Sequence, residues 1–302
     1  QNLPLKEPFY KRLNGILENS SYILDGNVSE FEEKFAQFSN RKHSVGVSNG
    51  TDAIKLCIKN FNPSAKTLVI TQANTFVATA IAILDACENV TLKLVDVDDS
   101  YQISFISLEY TLLNERENYD TCIVVPVSMY GHTFNKDALL RLQHEYNFNI
   151  VEDCSQAHGS KFEDGTLAGT VGACSAFSLY PGKNLGSIGD AGVVNTDSDE
   201  TYEQLKALRN YGSKKKYHHD TFGYNHRLDP VQAAFLCEKI KFINDYNQKR
   251  HAIGERPFFK KCNFNNPNTL SFSKKLVSLP IHPFLSEPDV SYVIESINSY
   301  TL

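Results

Sequence analysis

The sequence predicts an α/β protein built on a mostly parallel, buried sheet. Short runs rich in Val, Ile and Leu alternate with helix-length segments from His43 to Glu152, the pattern of consecutive βαβ units. Polar, chemistry-bearing residues gather where predicted strands stop, as at Asn49-Gly50-Thr51-Asp52 and Glu152-Asp153. In sheets of this kind ligands sit beyond the carboxyl ends of the strands. A third sign is a turn rich in Gly and Pro around one lysine, Lys183, in the stretch FSLYPGKNLGSIGDAG from Phe177 to Gly192.

In chain order, Pro8 to Asn19 reads as a helix. Ser29 to Phe38 is a second, with Phe31, Phe35 and Phe38 at helical spacing and Ser29 as its N-cap. His43 to Val47 is a strand that breaks at Ser48-Asn49-Gly50, and a helix runs from Thr51 to about Asn60. The alternation continues with strand Thr67 to Thr71, helix Thr75 to Ala86 and strand Thr91 to Val95. Helix Ser104 to Asn114, strand Cys122 to Val127, helix Lys136 to Tyr146 and strand Asn149 to Glu152 follow. Two β-type segments, Ala173 to Tyr180 and Ala191 to Thr196, flank the lysine turn. A helix is expected over Asp199 to Arg209, then a polar loop to Leu228. A long helix from Pro230 to Gly254 opens on the cap and N1 pair Asp229-Pro230. Pro257 to Leu270 has little pattern, and Val290 to Tyr300 reads as a last short helix. The length suggests two domains, placed here at residues 1–228 and 229–302.

Composition narrows the function. The 302 residues are 41% hydrophobic and 22% charged, as in an ordinary soluble globular protein. A net charge of −5 provides no broad cationic surface, which argues against nucleic acid and acidic membranes as partners. Seven dispersed cysteines with no Cys-x-x-Cys pair point to reduced thiols in the cytoplasm and away from a disulfide framework or zinc site. Nine scattered histidines, including His218-His219, lack ligand spacing, so no metal is expected. No signal-peptide pattern is visible, and the most apolar run, Thr75 to Ala86, carries Asp85 and is too short to span a bilayer.

Three stretches can carry chemistry. Lys183 is either a solvated lysine on a surface hairpin or an amine held by the turn and partly desolvated. The second case would lower its pKa and make it a nucleophile towards an aldehyde. Asn49-Gly50-Thr51-Asp52 lies where a strand gives way to a helix, so it serves either as a plain cap or as an anion site of amides and the Thr51 hydroxyl. The absence of Gly-Lys-[Ser/Thr] excludes a nucleotide P-loop. Asp153 and Gln156 follow a buried strand. A carboxylate there can cap the next turn or pair with a protonated ring nitrogen. His158 reads as a hydrogen-bonded neighbour, and Lys214-Lys215-Lys216 as a solvated loop or a phosphate contact.

Side by side, these stretches resemble the DegT/DnrJ/EryC1/StrS family of nucleotide-sugar aminotransferases, which use pyridoxal 5'-phosphate (PLP) and have the aspartate aminotransferase fold. The resemblance runs from Tyr22-Ile23-Leu24-Asp25-Gly26 to about Arg256. It rests on Ser48 to Ala53, Thr75 to Thr79, Glu152 to Gly159, Tyr180 to Gly186 and Gly223 to Asp229. It implies a fold type I PLP enzyme with a large sheet domain and a shortened C-terminal small domain. The shortening is read from Glu255-Arg256-Pro257 running quickly into Leu276 to Pro283, with the family's intervening strand motifs missing.

The same resemblance implies roles. Lys183 would form the internal aldimine and shuttle the proton, and Asp153 would pair with the pyridine nitrogen. Gln156 would contact the ring hydroxyl, and Phe76 would stack on the ring. Gly50, Thr51 and Ser178, with Asp52 beside them, would hold the phosphate. Asn225 would reach the phosphate of a neighbouring subunit's cofactor, which implies a homodimer with shared sites. Glutamate would be the amino donor. The acceptor would be a nucleotide-linked keto-sugar of dTDP-sugar biosynthesis, of the kind that feeds lipopolysaccharide or O-antigen.

Leu208 to Ser213, Lys216-Tyr217 and Gly189 to Gly192 are similar to the members that aminate C3 of a dTDP-3-keto-6-deoxyhexose, with Tyr180, Tyr211, Lys216 and Tyr217 as sugar contacts. Amination at C4 is the alternative, since those members share much of the pattern. A cofactor binder without turnover is the rival from another class, motivated by the shortened C-terminal region. Dehydratases of the family carry histidine in place of the lysine, so Lys183 argues against that activity.

Overall fold

In the computed structural model of the protein, the residues described are 2–214, 217–254 and 282–298. The chain opens with α1 (Lys6–Glu18) and α2 (Gly26–Ser39), then enters the sheet at β1 (His43–Val47). It continues through α3 (Gly50–Lys59), β2 (Thr67–Gln72), α4 (Val77–Ala86), β3 (Thr91–Val95), α5 (Phe105–Glu115), β4 (Thr121–Val125), α6 (Lys136–Tyr146) and β5 (Asn149–Asp153). After β6 (Cys174–Ser178) and β7 (Gly192–Thr196) come α7 (Asp199–Leu208), α8 (Pro230–Lys239), α9 (Ile243–Gly254) and α10 (Glu287–Asn298).

The sheet order is β1-β7-β6-β5-β4-β2-β3. Strand β7 pairs antiparallel with both β1 and β6, and the remaining pairs are parallel. Both faces are covered, which is why the strands read as continuous apolar runs. On one face Val45, Val69, Ile123, Val151 and Val194 pack under α3, α4 and α7. On the other, Phe177 and Val193 meet α2 and α8, while Ile70, Val124 and Ile150 meet α5 and α6. The rings of Phe35 and Phe177 meet edge to face at 5.1 Å, locking α2 onto β6.

Two expectations are corrected. Helix α2 is capped by Asp25, whose side chain accepts from the amides of Asn27 and Val28, so it begins ahead of Ser29. The expected helix from Pro230 to Gly254 is interrupted by a 3₁₀ turn at Ile240–Phe242. In a 3₁₀ turn residues three apart eclipse, and the break puts both Ile240 and Ile243 into the core that α8 shares with α2. The patternless stretch from Pro257 and most of Leu276 to Pro283 lie outside the described residues. Among those described, no helix is long and apolar enough to cross a membrane.

Candidate active site

At the carboxyl edge of the sheet lies a cavity of about 450 Å³. Its walls are the turns after β1 (Asn49 to Thr51), β2 (Thr75, Phe76), β4 (Val127, Met129), β5 (Asp153 to Gln156) and β6 (Ser178 to Lys183), with Asp190 just ahead of β7. Parallel strands end together, so residues scattered over 140 positions of sequence converge here.

Asp153 is the last residue of β5, and its neighbour Glu152 faces the opposite side of the sheet, as alternate strand residues must. Glu152 accepts hydrogen bonds from the amides of Gly169 (2.9 Å), Val171 (2.7 Å) and Gly172 (2.8 Å), which fixes the excursion between β5 and β6. Asp153 instead turns into the cavity. The Thr79 hydroxyl donates to its Oδ2 at 2.8 Å and the Ser155 amide to its Oδ1 at 3.1 Å. Thr79 lies 2.7 Å from the Thr75 hydroxyl one helical turn back. Sequence reasoning gave neither threonine a role, although their i, i+4 spacing at a helix start was a usable signal. The Gln156 carbonyl accepts from the Tyr130 amide at 2.7 Å, leaving its amide group to the cavity.

Lys183 sits on a turn closed by its own amide donating to the Tyr180 carbonyl at 2.8 Å. It is half-buried, and burial lowers the pKa of its amine while the Asp153 carboxylate pulls it back up. Of the two readings of this lysine, the partly desolvated amine is the one the fold realises. His158 is buried beside it, 2% exposed, with its ring 5.5 Å from that of Phe177. Burial first, and then the positive charge of Lys183, push this imidazole down to about 3, against the Ser178 main-chain carbonyl. It is a neutral group behind the site and does not line the cavity.

The other end is a cradle. Helix α3 starts at Gly50, and the Asn49 side chain accepts from the Asp52 amide at 2.8 Å while its carbonyl takes the Ala53 amide at 3.1 Å. The Gly50 and Thr51 amides remain as the leading donors of the first turn. A Cβ on Gly50 would stand 2.5 Å from the Ser178 Cβ, and one on Gly192 would collide with the Asn49 carbonyl. Only glycine lets the helix end close on β6 and β7, and that approach brings the Thr51 and Ser178 side chains to the same wall.

Gly50, Thr51, Phe76, Asp153, Gln156, Ser178, Tyr180 and Lys183 therefore line one cavity. Phe76, N-cap of α4, is 67% exposed, so its ring is open to a planar partner. Asp52 does not line the cavity, and its carboxylate faces Ser48, Asn49 and His226. Asn225 is exposed on an extended segment outside the cavity, bridged to Asn210. Tyr211 packs under the Arg227 guanidinium at 5.3 Å, and Tyr217 is exposed; neither lines the cavity. Lys216 lies outside the described residues. Among those described, no group of three or more His, Cys, Asp or Glu side chains is placed to hold a metal ion. A cradle of amides and hydroxyls, an acid, an exposed ring and an amine fit the phosphate, ring nitrogen, ring face and aldehyde of PLP.

The sequence profile of the DegT/DnrJ/EryC1/StrS aminotransferase family matches residues 4–257. The chain is 35% identical over 238 residues to the dTDP-3-amino-3,4,6-trideoxy-alpha-D-glucose transaminase of Streptomyces venezuelae, covering 79% of this chain and 61% of that protein. It is 37% identical over 253 residues to the dTDP-3-amino-3,6-dideoxy-alpha-D-galactopyranose transaminase of Aneurinibacillus thermoaerophilus, covering 83% of this chain and 68% of that one. The chain thus spans about two thirds of the length of these relatives. The solved structure of S. venezuelae DesV in complex with a ketimine intermediate superposes with a TM-score of 0.84 at 26% identity, covering 98% of this chain and 95% of that one.

Proposed function

The chain belongs to the DegT/DnrJ/EryC1/StrS aminotransferase family, and from that premise we propose that it binds PLP through Lys183 and moves the amino group of glutamate to a nucleotide-linked keto-sugar. The observation that carries this reading is the shared cavity, in which a desolvated lysine, an anchored aspartate and a helix-end cradle all present their groups. When bound, the cofactor supplies a ring that draws electrons from the carbon next to the transferred nitrogen.

The chain's own residues do the rest. Asp153, held by Thr79 and Ser155, keeps a proton on the ring nitrogen. Gly50, Thr51 and Ser178 anchor the phosphate, Phe76 covers the ring and the free amide of Gln156 meets its hydroxyl. The neutral form of the Lys183 amine takes the proton that leaves the donor carbon and returns it to the acceptor side. Over the two half-reactions glutamate becomes 2-oxoglutarate and the keto-sugar becomes the amino-sugar, so the nitrogen balances.

The acceptor we favour is a dTDP-3-keto-6-deoxyhexose. The names of the two transaminases above, both of 3-amino sugars, support that position, and Tyr180 lines the cavity where a sugar would sit. We assign residues 1–228 to cofactor binding and 229–302 to the linking helices and a small C-terminal unit. A homodimer is supported by α4, which leaves Val77, Ile81 and Leu84 exposed at i, i+4 and i+7 beside Phe76. Free thiols at the six cysteines among the described residues suit a cytoplasmic setting. The test is incubation with glutamate and, separately, the 3-keto and 4-keto dTDP-sugars, with the product identified by NMR. Amino-sugar from the 3-keto substrate is expected. Product from the 4-keto sugar alone overturns the position, no product from either with 2-oxoglutarate still formed overturns the dTDP-sugar acceptor, and no 2-oxoglutarate overturns the activity.

A further inference from the structure

Behind the phosphate cradle is a set of contacts that the functional reading does not use. Asp52 is the third residue of α3, and one oxygen, Oδ2, meets the Ser48 hydroxyl, the Asn49 amide group at 2.8 Å and the His226 Nδ1 at 3.1 Å. The backbone repeats the link, since the Ser48 amide donates to the His226 carbonyl at 3.1 Å and Val47 is bridged to Arg227. Three residues on, Lys55 places its ammonium 4.1 Å from the Tyr224 ring centroid and pairs with Asp85 at 2.7 Å. Tyr224 and His226 stack on each other at 4.9 Å and 11°.

The i, i+3 pair Asp52 and Lys55 on one helix face therefore grips the i, i+2 pair His226 and Tyr224 on the extended segment. Asn225, between them, stands on the opposite side and is exposed. A carboxylate directly after an anion cradle would repel a phosphate if left alone, and it is a poor phosphate ligand. Its contacts direct it away from the cavity and set the imidazole against it.

Resting on the PLP reading above, we infer that Asp52 and His226 form a positioning pair: they fix the Ser48 to Thr51 turn for the phosphate, offset the Asp52 charge, and hold Asn225 outward. Asp52 is thus a support for the cradle and makes no contact with the cofactor.

The experiment compares the affinity of the protein for PLP with its affinity for pyridoxal, which lacks the phosphate, in wild type, His226→Phe, His226→Asn and Asp52→Asn/His226→Phe. Phe keeps the stack on Tyr224 and loses the donor, and Asn returns a donor near the Nδ1 position. His226→Phe should weaken PLP about ten-fold, the scale of one charge-assisted contact, and leave pyridoxal unchanged. His226→Asn should regain most of the loss, and the double variant should recover because the charge to be offset is gone. An equal loss for both ligands, or no loss for PLP, overturns the positioning role. A wild type that binds PLP no better than pyridoxal would instead overturn the reading on which this inference rests. Should His226→Phe fail to fold, the same phosphate-selective comparison of His226→Asn with His226→Gln decides, since Gln carries its donor one bond further out.

Discussion

Lys183 owes its chemistry to a balance of two opposed effects. Burial disfavours its charge and Asp153 favours it, with burial the larger. A lowered amine is neutral in greater part at a given pH than an ordinary lysine near about 10.4. Covalent attachment of PLP should therefore speed up with rising pH and level off below that value, as read by stopped-flow absorbance. Asp153→Asn removes the opposing charge, so its profile should move to lower pH; an upward shift would contradict the balance. His158 gives a second prediction with the sign fixed by linkage. Its folded value of about 3 lies below the unfolded one of about 6.5, so the unfolded chain binds the extra proton between them. Stability contributed by this residue is complete above the unfolded value and falls as pH drops, by about 1.4 kcal/mol per pH unit in that window. His158→Gln should flatten the acid limb of a denaturation-against-pH curve.

At the scale of elements, α3 is the part that had to be built to fit. The approach of Gly50 to Ser178 leaves no room for a methyl group. Gly50→Ala should cost about 1–3 kcal/mol by denaturant titration and should lower the affinity for PLP more than for pyridoxal. An unchanged PLP affinity would mean that the cradle is elsewhere. The start of this helix was legible because Asn-Gly-Thr-Asp after a strand is a capping pattern read from neighbouring residues alone. The strand-helix alternation was legible for the same reason, since burial on both faces writes itself as apolar runs. The break at Ile240–Phe242 was not, because no Gly or Pro marks it and the apolar spacing barely changes across it. The Asp25 cap escapes a pattern read from Phe31, Phe35 and Phe38 alone, although Val28, three residues before Phe31, continues the same buried face ahead of Ser29. Thr79 and His226 were invisible as partners of Asp153 and Asp52 because their contacts span 74 and 174 positions, which only the sheet brings together.

For the whole molecule, the arrangement of Asn225 makes a prediction about assembly. It lies outside the cavity of its own chain and is held there by Tyr224 and His226 on the opposite side. If it serves a second copy, Lys183→Ala and Asn225→Ala proteins, each impaired alone, should regain PLP binding when their subunits are exchanged. Each mixed dimer would hold one site with both residues intact. If Asn225 served its own chain, exchange would restore nothing. The exposed Val77, Ile81 and Leu84 stripe should be part of the same contact, so Ile81→Asp should shift the protein towards monomer in sedimentation velocity.

The central claim is that one lysine on one turn holds the cofactor and releases it to an amino donor. Borohydride reduction of the PLP-loaded protein, before and after glutamate, followed by peptide mass mapping, tests it most directly. The pyridoxyl mass should fall on the peptide that carries Lys183, and prior glutamate should remove that label as 2-oxoglutarate appears in equal amount. Label on a different lysine, or label on Lys183 that glutamate leaves untouched, would contradict the account.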